Sequence, residues 1–315
     1  MIHILFTGGT ISMRHDAASG GNLPKHGGAE LLALAGVSEG LACRTEDWAR
    51  SPACHLDTDR LWALRSRVLE LARVDDVEGI VITHGTDVLE ETAYLLARTV
   101  PAEVPVVLTG AMRTADHPEW DGGTNLRAAI AVAGAPESRG RGAMVVFNGL
   151  VLDGLEAVKL HAVDPAAFGT PHGTPIGRAE SDGVMFDGPA SVRRPLSPPA
   201  LNARVAQVPV ILGDDGVLLD AARASADGVV LIAFGSGNIP PGAVPAVRRW
   251  IADGKPVVLA SRCLYGEVDP AYAFEGGGAQ LVRLGAIPAG PRTPSQARME
   301  LLISLAAGVA FGAAA

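Results

Sequence analysis

The chain has 315 residues, a length that suits one large domain or two smaller ones with a full hydrophobic core. Hydrophobic residues make up 48% and charged residues 19% of the sequence, which excludes a disordered chain. The net charge of -8 provides no general attraction for nucleic acids or anionic membranes, so we expect neither as a partner.

Short apolar runs alternate with longer amphipathic runs, which predicts an α/β fold with parallel strands. The predicted elements, in chain order, are strand 2–6, helices 30–34 and 59–71, strand 79–83, helix 89–99, strand 104–109, helix 124–133, strands 143–147, 208–212 and 228–233, helix 244–252, strand 256–261 and helix 294–307. Asp59 and Thr124 suit the N-cap positions of their helices, and Thr293-Pro294 predicts the start of the last one.

The pattern lapses over the Pro-rich stretch around residues 183–208, which is typical of a connection between two folded units. We therefore expect a large N-terminal α/β domain over 1–190, a linker over 191–207 and a smaller C-terminal α/β domain over 208–315. No secretory leader or membrane span is visible in the sequence, which predicts a cytoplasmic protein.

Three cysteines stand without metal-ligand spacing, so neither a zinc site nor a disulfide framework is expected: Cys43, Cys54 and Cys263.

Two glycine-containing segments follow predicted strands, at the sheet edge where α/β proteins bind ligands. Residues 7–11 read TGGTI, and this segment either turns the chain after a strand or brings a hydroxyl to a ligand. Residues 84–87 read HGTD, where Asp87 either caps the next helix or binds a cationic group, and His84 is interpreted as structural. Neither segment has the spacing of a phosphate-binding loop.

Two further candidates are basic. Arg113 is expected to form an ion pair with Asp121 or Asp116. Lys159 is either a solvated surface group or, if it lies partly buried beside Thr86, a group that takes a proton from a hydroxyl.

Together these segments resemble the bacterial-type L-asparaginase/glutaminase family. The resemblance covers nearly the whole chain, because its motifs occur in the family's order and spacing. They are TGGTI at 7–11, HGTD at 84–87, EETAY at 90–94, VVLTGAMR at 106–113, DGGTNL at 121–126, the VLDG run that ends at Lys159, GSGN at 235–238 and TPSQARMELL at 293–302.

The resemblance implies an amidohydrolase that splits the side-chain amide of asparagine, and often glutamine, without a cofactor. By position, Thr10 is the implied nucleophile, which forms an acyl-enzyme that water hydrolyses. Thr86, Asp87 and Lys159 match a second catalytic triad, in which Lys159 tunes Thr86.

The family also implies a substrate site and an assembly. Asp87 would hold the α-amino group of the substrate, while the backbone at Gly85 and Thr86 and the region of Ala111 would surround the reacting carbonyl. Asn238 matches a residue that a neighbouring subunit lends to the site, so a homodimer or homotetramer is expected.

Three departures from the family pattern concern the rate and the substrate. The Gly-rich stretch 12–28, expected to be a flexible lid, contains no tyrosine to contact the nucleophile. The serine that grips the substrate carboxylate falls at Ala53 or Cys54. Ser51 matches it only with a local gap, and His55 is a substitute donor. Val88 stands where the commoner motif has threonine, which is a change in packing.

Other functions are compatible with the same sequence. An amidase for another small amide and a non-catalytic binding protein of the same fold both accommodate the departures. The amidase subunit of a tRNA-dependent amidotransferase and a nucleotide-binding oxidoreductase are weaker readings, because the chain is acidic and lacks a dinucleotide fingerprint.

Overall fold

The structure is a computed structural model that describes residues 1–37, 41–180, 183–191 and 193–313. The chain divides into two compact units, the first ending at Leu196 and the second beginning at Ser197. Among the described residues, no helix combines the length and apolar character needed to cross a bilayer.

The first unit contains twelve described strands and four described α-helices. The strands are β1 (Ile2–Phe6), β2 (Met13–Asp16), β3 (Gly21–Pro24), β4 (Cys43–Asp47), β5 (Gly79–Thr83), β6 (Val106–Thr109), β7 (Ala143–Phe147), β8 (Leu150–Asp153), β9 (Val158–Lys159), β10 (Phe168–Gly169), β11 (Gly177–Glu180) and β12 (Gly183–Phe186). The helices are α1 (Gly28–Leu34), α2 (Thr58–Leu71), α3 (Leu89–Thr99) and α4 (Gly122–Gly134).

Eight strands form one sheet in the order β12-β11-β8-β7-β6-β5-β1-β4. The strands from β7 to β4 run parallel, as the sequence predicts, whereas β8, β11 and β12 add an antiparallel edge that it does not. The predicted bounds of β1, β5 and β7 are confirmed, and β6 begins two residues later than predicted.

Both faces of this sheet are covered, which explains the continuous apolar runs in the central strands. In β5, Ile80 and Ile82 pack with Leu64 and Leu96 of the helices on one face. Val81 points to the opposite face, into the cluster that contains Leu126 of α4.

The central parallel strands are in register at their carboxyl ends. Phe6 of β1 lies opposite Thr83 of β5, and Thr83 lies opposite Thr109 of β6. The loops that follow these three strands therefore leave the sheet at one edge and at one level.

The second unit is a smaller parallel sheet with helices. Its strands are β13 (Val205–Pro209), β14 (Gly228–Ala233), β15 (Val257–Ser261) and β16 (Ile287–Pro288), and its helices are α5 (Val217–Arg223), α6 (Val244–Ala252), α7 (Gly278–Leu284) and α8 (Pro294–Ala307). β13 begins at Val205, three residues before the predicted strand 208–212, because the chain pairs with β14 from Val205 opposite Gly228 to Pro209 opposite Ile232. The proline is tolerated because β13 is an edge strand.

The predicted helix starts are partly wrong. Thr293 caps α8 as predicted, since its hydroxyl accepts the N–H of Gln296. Asp59 and Thr124 are not caps: the Asp57 carboxylate accepts the N–H of Arg60 at the start of α2, and α4 follows Asp121. α4 itself begins with two glycines. Glycine is needed at the first of them, because a Cβ on Gly122 would lie 2.4 Å from the Trp120 indole nitrogen.

The corrected cap of α2 leads to a stability prediction. Asp57→Ala should lower the free energy of unfolding by about 1 kcal/mol, because it removes the acceptor for a helix N–H group. Asp59→Ala, the matched control, keeps that hydrogen bond and should cost only a few tenths of a kcal/mol through the helix dipole. Urea unfolding of both variants checks this, and an Asp59 effect as large as that of Asp57 would contradict the assignment.

Candidate active site

The loop after β1 touches the loop after β5 through two glycines. Gly9 has φ 84°, and a Cβ built on it would lie 2.5 Å from the Cα and the backbone nitrogen of Gly85. This contact leaves no room for a side chain at Gly9. Thr10, the next residue, is half-buried and begins a single 3-10 turn.

A third segment meets Gly85 from the other side. A Cβ on Gly85 would lie 2.6 Å from the Cβ of Ala53. Ala53 is buried in the short turn Ala53–His55, whereas Cys54 and His55 are exposed. Of the two positions that the sequence offers for the missing serine, Ala53 is therefore the one whose contact with the Gly85 backbone is seen.

The structure brings Lys159 beside Thr86 and Asp87. The Lys159 Nζ donates to Thr86 Oγ1 at 2.8 Å and lies 3.5 Å from Asp87 Oδ1. Thr86 is buried, and the Lys159 side chain is 20% exposed, against 59% for Asp87. The solvated-surface interpretation of Lys159 is therefore wrong. Asp87 does not cap α3 either, because Val88 occupies the N-cap position.

The backbone of Lys159 is anchored to the helix that follows Thr86. The Lys159 N–H donates to Glu90 Oε2 at 2.8 Å, and Glu90 lies in the first turn of α3. On its other side, Lys159 pairs with Phe168 in the short β9–β10 ladder. Both contacts fix the point from which the lysine side chain reaches Thr86. The sequence does not predict this anchoring contact of Glu90, although Glu90 stands in the EETAY motif.

Two side chains of the DGGTNL segment hold the loop that contains Ala111. The Asp121 carboxylate accepts the backbone N–H groups of Met112 and Arg113, each at 2.9 Å. Asn125 donates from Nδ2 to the Gly110 carbonyl at 3.0 Å. Ala111 is fully buried between these anchors, which fixes the backbone of the loop.

The predicted ion pairs of Arg113 are wrong. The Arg113 guanidinium lies 2.9 Å from the Glu119 carboxylate. Arg113 meets Asp121 through its backbone N–H and not through its guanidinium. The Asp116 carboxylate is used elsewhere, since it accepts the Thr114 hydroxyl and the N–H of His15.

His84 is completely buried and uses both ring nitrogens. Its Nδ1 lies 2.7 Å from the Gly85 carbonyl oxygen, and its Nε2 lies 3.0 Å from the Thr92 hydroxyl of α3. Burial lowers the pKa of His84 to about 4, although the Gly85 carbonyl and the charge of Asp87 oppose that shift. The imidazole is therefore neutral at pH 7.

The stretch 12–28, predicted as a flexible loop, contains a two-stranded hairpin. β2 and β3 pair in antiparallel register from Met13 opposite Pro24 to Asp16 opposite Gly21. The hairpin is tied to a neighbouring loop, because Ala115 donates its N–H to the Met13 carbonyl. The Gly20-Gly21 pair, with Gly20 at φ 71°, is a signal that favours a tight turn in such a hairpin.

The last predicted site residue belongs to the second unit. The Asn238 Oδ1 accepts the N–H of Gly278 at 3.0 Å, at the start of α7. This bond uses the amide oxygen, and none of the residues that the structure describes accepts a hydrogen bond from Nδ2. Among the described residues, no group of histidine, cysteine and carboxylate side chains is arranged to hold a metal ion.

Comparison with known proteins gives two matching family models, described as "Asparaginase, N-terminal" over residues 1–191 and "Glutaminase/Asparaginase C-terminal domain" over 204–312. A "Probable L-asparaginase" of Deinococcus radiodurans is 38% identical, covering 97% of this chain and 92% of that protein.

Two solved structures are also similar over the whole fold. "The thermostable L-asparaginase from Thermococcus kodakarensis" superposes with a TM-score of 0.85 at 28% identity, over 97% of this chain and 92% of that one. A "Probable Cytoplasmic L-asparaginase from Campylobacter jejuni" gives 0.83 at 27% identity, over 96% and 94%.

The buried imidazole makes stability depend on pH. The pKa of His84 is about 4 in the folded chain and 6.5 in an unfolded one, so the unfolded state binds more protons between these values. The resulting stabilisation is complete above pH 6.5 and is lost as the pH falls towards 4, by about 3 kcal/mol.

His84→Asn, which does not titrate in this range, should remove that component. Urea unfolding of both proteins at several pH values measures it, and equal slopes between pH 6.5 and 4 would contradict the assignment.

Proposed function

This chain belongs to the bacterial-type L-asparaginase/glutaminase family, and we propose that it hydrolyses the side-chain amide of L-asparagine through a covalent intermediate on Thr10. The products are aspartate and ammonia. The observation that carries the proposal is the 2.8 Å hydrogen bond between Lys159 Nζ and Thr86 Oγ1, next to the loop that presents Thr10. A lysine held against a buried threonine in this way is suited to proton transfer.

In the first step, the Thr10 hydroxyl attacks the amide carbon of the substrate and forms a tetrahedral intermediate. The C–N bond then breaks, ammonia leaves with the proton given up by the hydroxyl, and an ester on Thr10 remains. In the second step, water attacks the ester and releases aspartate and the free threonine. The reaction needs no cofactor.

Lys159 and Thr86 form the proton-transfer pair in this scheme. Thr86 is buried, so its hydroxyl has a fixed partner in the Lys159 amine rather than a shell of water. When the Lys159 amine takes up the Thr86 hydroxyl proton, Thr86 Oγ1 can accept the proton of the attacking group. Thr86 then gives a proton to the leaving group and recovers its own from Lys159. Asp87 lies 3.5 Å from the same amine and stabilises the positive charge that the amine carries in between.

The developing oxyanion is stabilised by backbone N–H groups of the loops at the sheet edge. The Thr86 N–H is available for this purpose, because no described residue accepts a hydrogen bond from it. The loop at Ala111 is rigid through its bonds to Asp121 and Asn125. Loss of one such donor typically costs a factor of about 10²–10³ in rate.

The substrate's charged groups bind around the reacting amide. The exposed carboxylate of Asp87 binds the α-amino group. Gly85 and Ala53 form the side of the substrate site opposite Asp87. Cys54 and His55 are exposed to solvent next to them. The α-carboxylate therefore meets a methyl group where the family has a hydroxyl, which weakens binding of the free amino acid.

The family resemblance supports two further proposals about the whole protein. We propose a homodimer or homotetramer in which Asn238 of one subunit reaches the site of another, with its Nδ2 as the donor. We also propose a cytoplasmic location, supported by the likeness to the "Probable Cytoplasmic L-asparaginase from Campylobacter jejuni".

The proposed reaction predicts the behaviour of two variants. Thr10→Ala should abolish ammonia release from L-asparagine, because it removes the nucleophile. Lys159→Met should lower kcat by several orders of magnitude, since the methionine fills the same space without a proton to transfer. Ammonia release is measured with L-asparagine, L-glutamine, D-asparagine and small β-amides.

Circular dichroism and thermal unfolding of both variants serve as folding controls. Normal turnover by folded Thr10→Ala would remove Thr10 from the mechanism, and the absence of release from every amide by the unaltered protein would favour a non-catalytic binding protein.

The methyl group of Ala53 at the proposed carboxylate site leads to a prediction about affinity for L-asparagine. Ala53→Ser should lower KM for L-asparagine by about tenfold, because one hydrogen bond to a charged group contributes about 1.5–3 kcal/mol. Cys54→Ser is the matched control at the neighbouring exposed position and should leave KM unchanged. Steady-state kinetics of both variants check this, and a fall in KM for Cys54→Ser alone would place the carboxylate at residue 54 instead.

A further inference from the structure

The buried ring of His84 has one tautomer. The Gly85 carbonyl can only accept a hydrogen bond, so the nitrogen that lies 2.7 Å from it, Nδ1, carries the proton. In the neutral ring, Nε2 is then an acceptor for the Thr92 hydroxyl, whose single proton has the Val88 carbonyl, also at 3.0 Å, as its other acceptor. The pKa of His84, lowered to about 4, keeps the ring in this neutral state at pH 7.

The hydrogen bond to Gly85 fixes a whole peptide plane. The carbonyl of Gly85 and the N–H of Thr86 belong to one trans peptide group, in which the two bonds point in opposite directions. Because the carbonyl points at the buried imidazole, the Thr86 N–H points away from that ring. No described residue accepts a hydrogen bond from this N–H.

The ring is itself held firmly. The His84 N–H donates to the Thr109 carbonyl of β6 at 2.7 Å, which fixes the backbone of the residue. A Cβ on Gly110 would lie 2.5 Å from the His84 carbonyl oxygen, so the neighbouring loop confines it as well. Thr92 of α3 holds the far side of the ring. The imidazole is therefore fixed, and the peptide group between Gly85 and Thr86 cannot rotate without breaking its hydrogen bond to the ring.

We propose that His84 is a positioning residue, whose Nδ1–H holds the Gly85 carbonyl and thereby aims the Thr86 N–H at the oxyanion of the reaction. The inference rests on the proposed function, because the Thr86 N–H is a hydrogen-bond donor of the proposed active site. His84 touches neither the substrate nor the reacting atoms. Its loss should affect the transition state, where the oxyanion forms, more than the bound substrate.

Two amide variants separate the two ring nitrogens. In His84→Asn, the Nδ2 group stands near the position of Nδ1 and can still donate to the Gly85 carbonyl. In His84→Gln, the amide reaches towards the position of Nε2 and can still meet Thr92, but the Gly85 carbonyl has no donor. A purely structural role through α3 would be kept better by glutamine, and the proposed role is kept better by asparagine.

The experiment measures kcat and KM for L-asparagine, together with thermal unfolding, for both variants of the full chain. We expect His84→Asn to retain kcat within about threefold, and His84→Gln to lose about 10²-fold in kcat with KM changed less than about threefold. The proposal is overturned if His84→Gln is as active as His84→Asn, or if KM rises while kcat stays constant.

Thr92→Val is the second variant, used where either His84 variant fails to fold. It removes the partner of Nε2 and keeps the bond from Nδ1 to Gly85. Retention of kcat within about threefold supports the proposal, and a loss of more than about tenfold at unchanged KM overturns it. Thr10→Ala separates the two claims: if it abolishes turnover while His84→Gln keeps it, the proposed function stands and the positioning role fails.

Discussion

The close contact between Gly9 and Gly85 is the constraint on which the candidate site depends. A side chain at either position would collide with backbone or with Ala53, so the sequence must place glycine at both. The contact forms because β1 and β5 end level in the sheet, with Phe6 opposite Thr83. It brings the Thr10 turn to the segment that contains Thr86.

Helix side chains then hold each loop of the site in place. Asn125 of α4 binds the Gly110 carbonyl, Glu90 of α3 binds the N–H of Lys159, and Thr92 of α3 binds the His84 ring. Most of these groups are buried, where an unpaired polar atom would cost about 1–3 kcal/mol. The Lys159 amine therefore meets Thr86 from a backbone that is fixed on both sides.

The sequence predicted the central strands and the site segments because both have strong local signals. β1 and β5 are continuous apolar runs, and TGGTI and HGTD follow them directly. It did not predict β9, since a two-residue strand has no periodicity. It did not predict the contact between Lys159 and Glu90 either, because the two residues are 69 positions apart in the chain. The start of α4 differs from the prediction for a related reason: its two glycines disfavour a helix by themselves, and close packing, chiefly against Trp120, explains them.

Mass spectrometry of the acid-quenched Lys159→Met enzyme, mixed with L-asparagine, tests the central claim most directly. Lys159→Met slows proton transfer in both steps, so the quench samples the enzyme during a slow turnover. The account predicts a mass increase of one aspartyl group on the peptide that contains Thr10, and none in the double variant that also carries Thr10→Ala. An adduct on the peptide that contains Thr86, or turnover to aspartate with no adduct at any quench time, would contradict it.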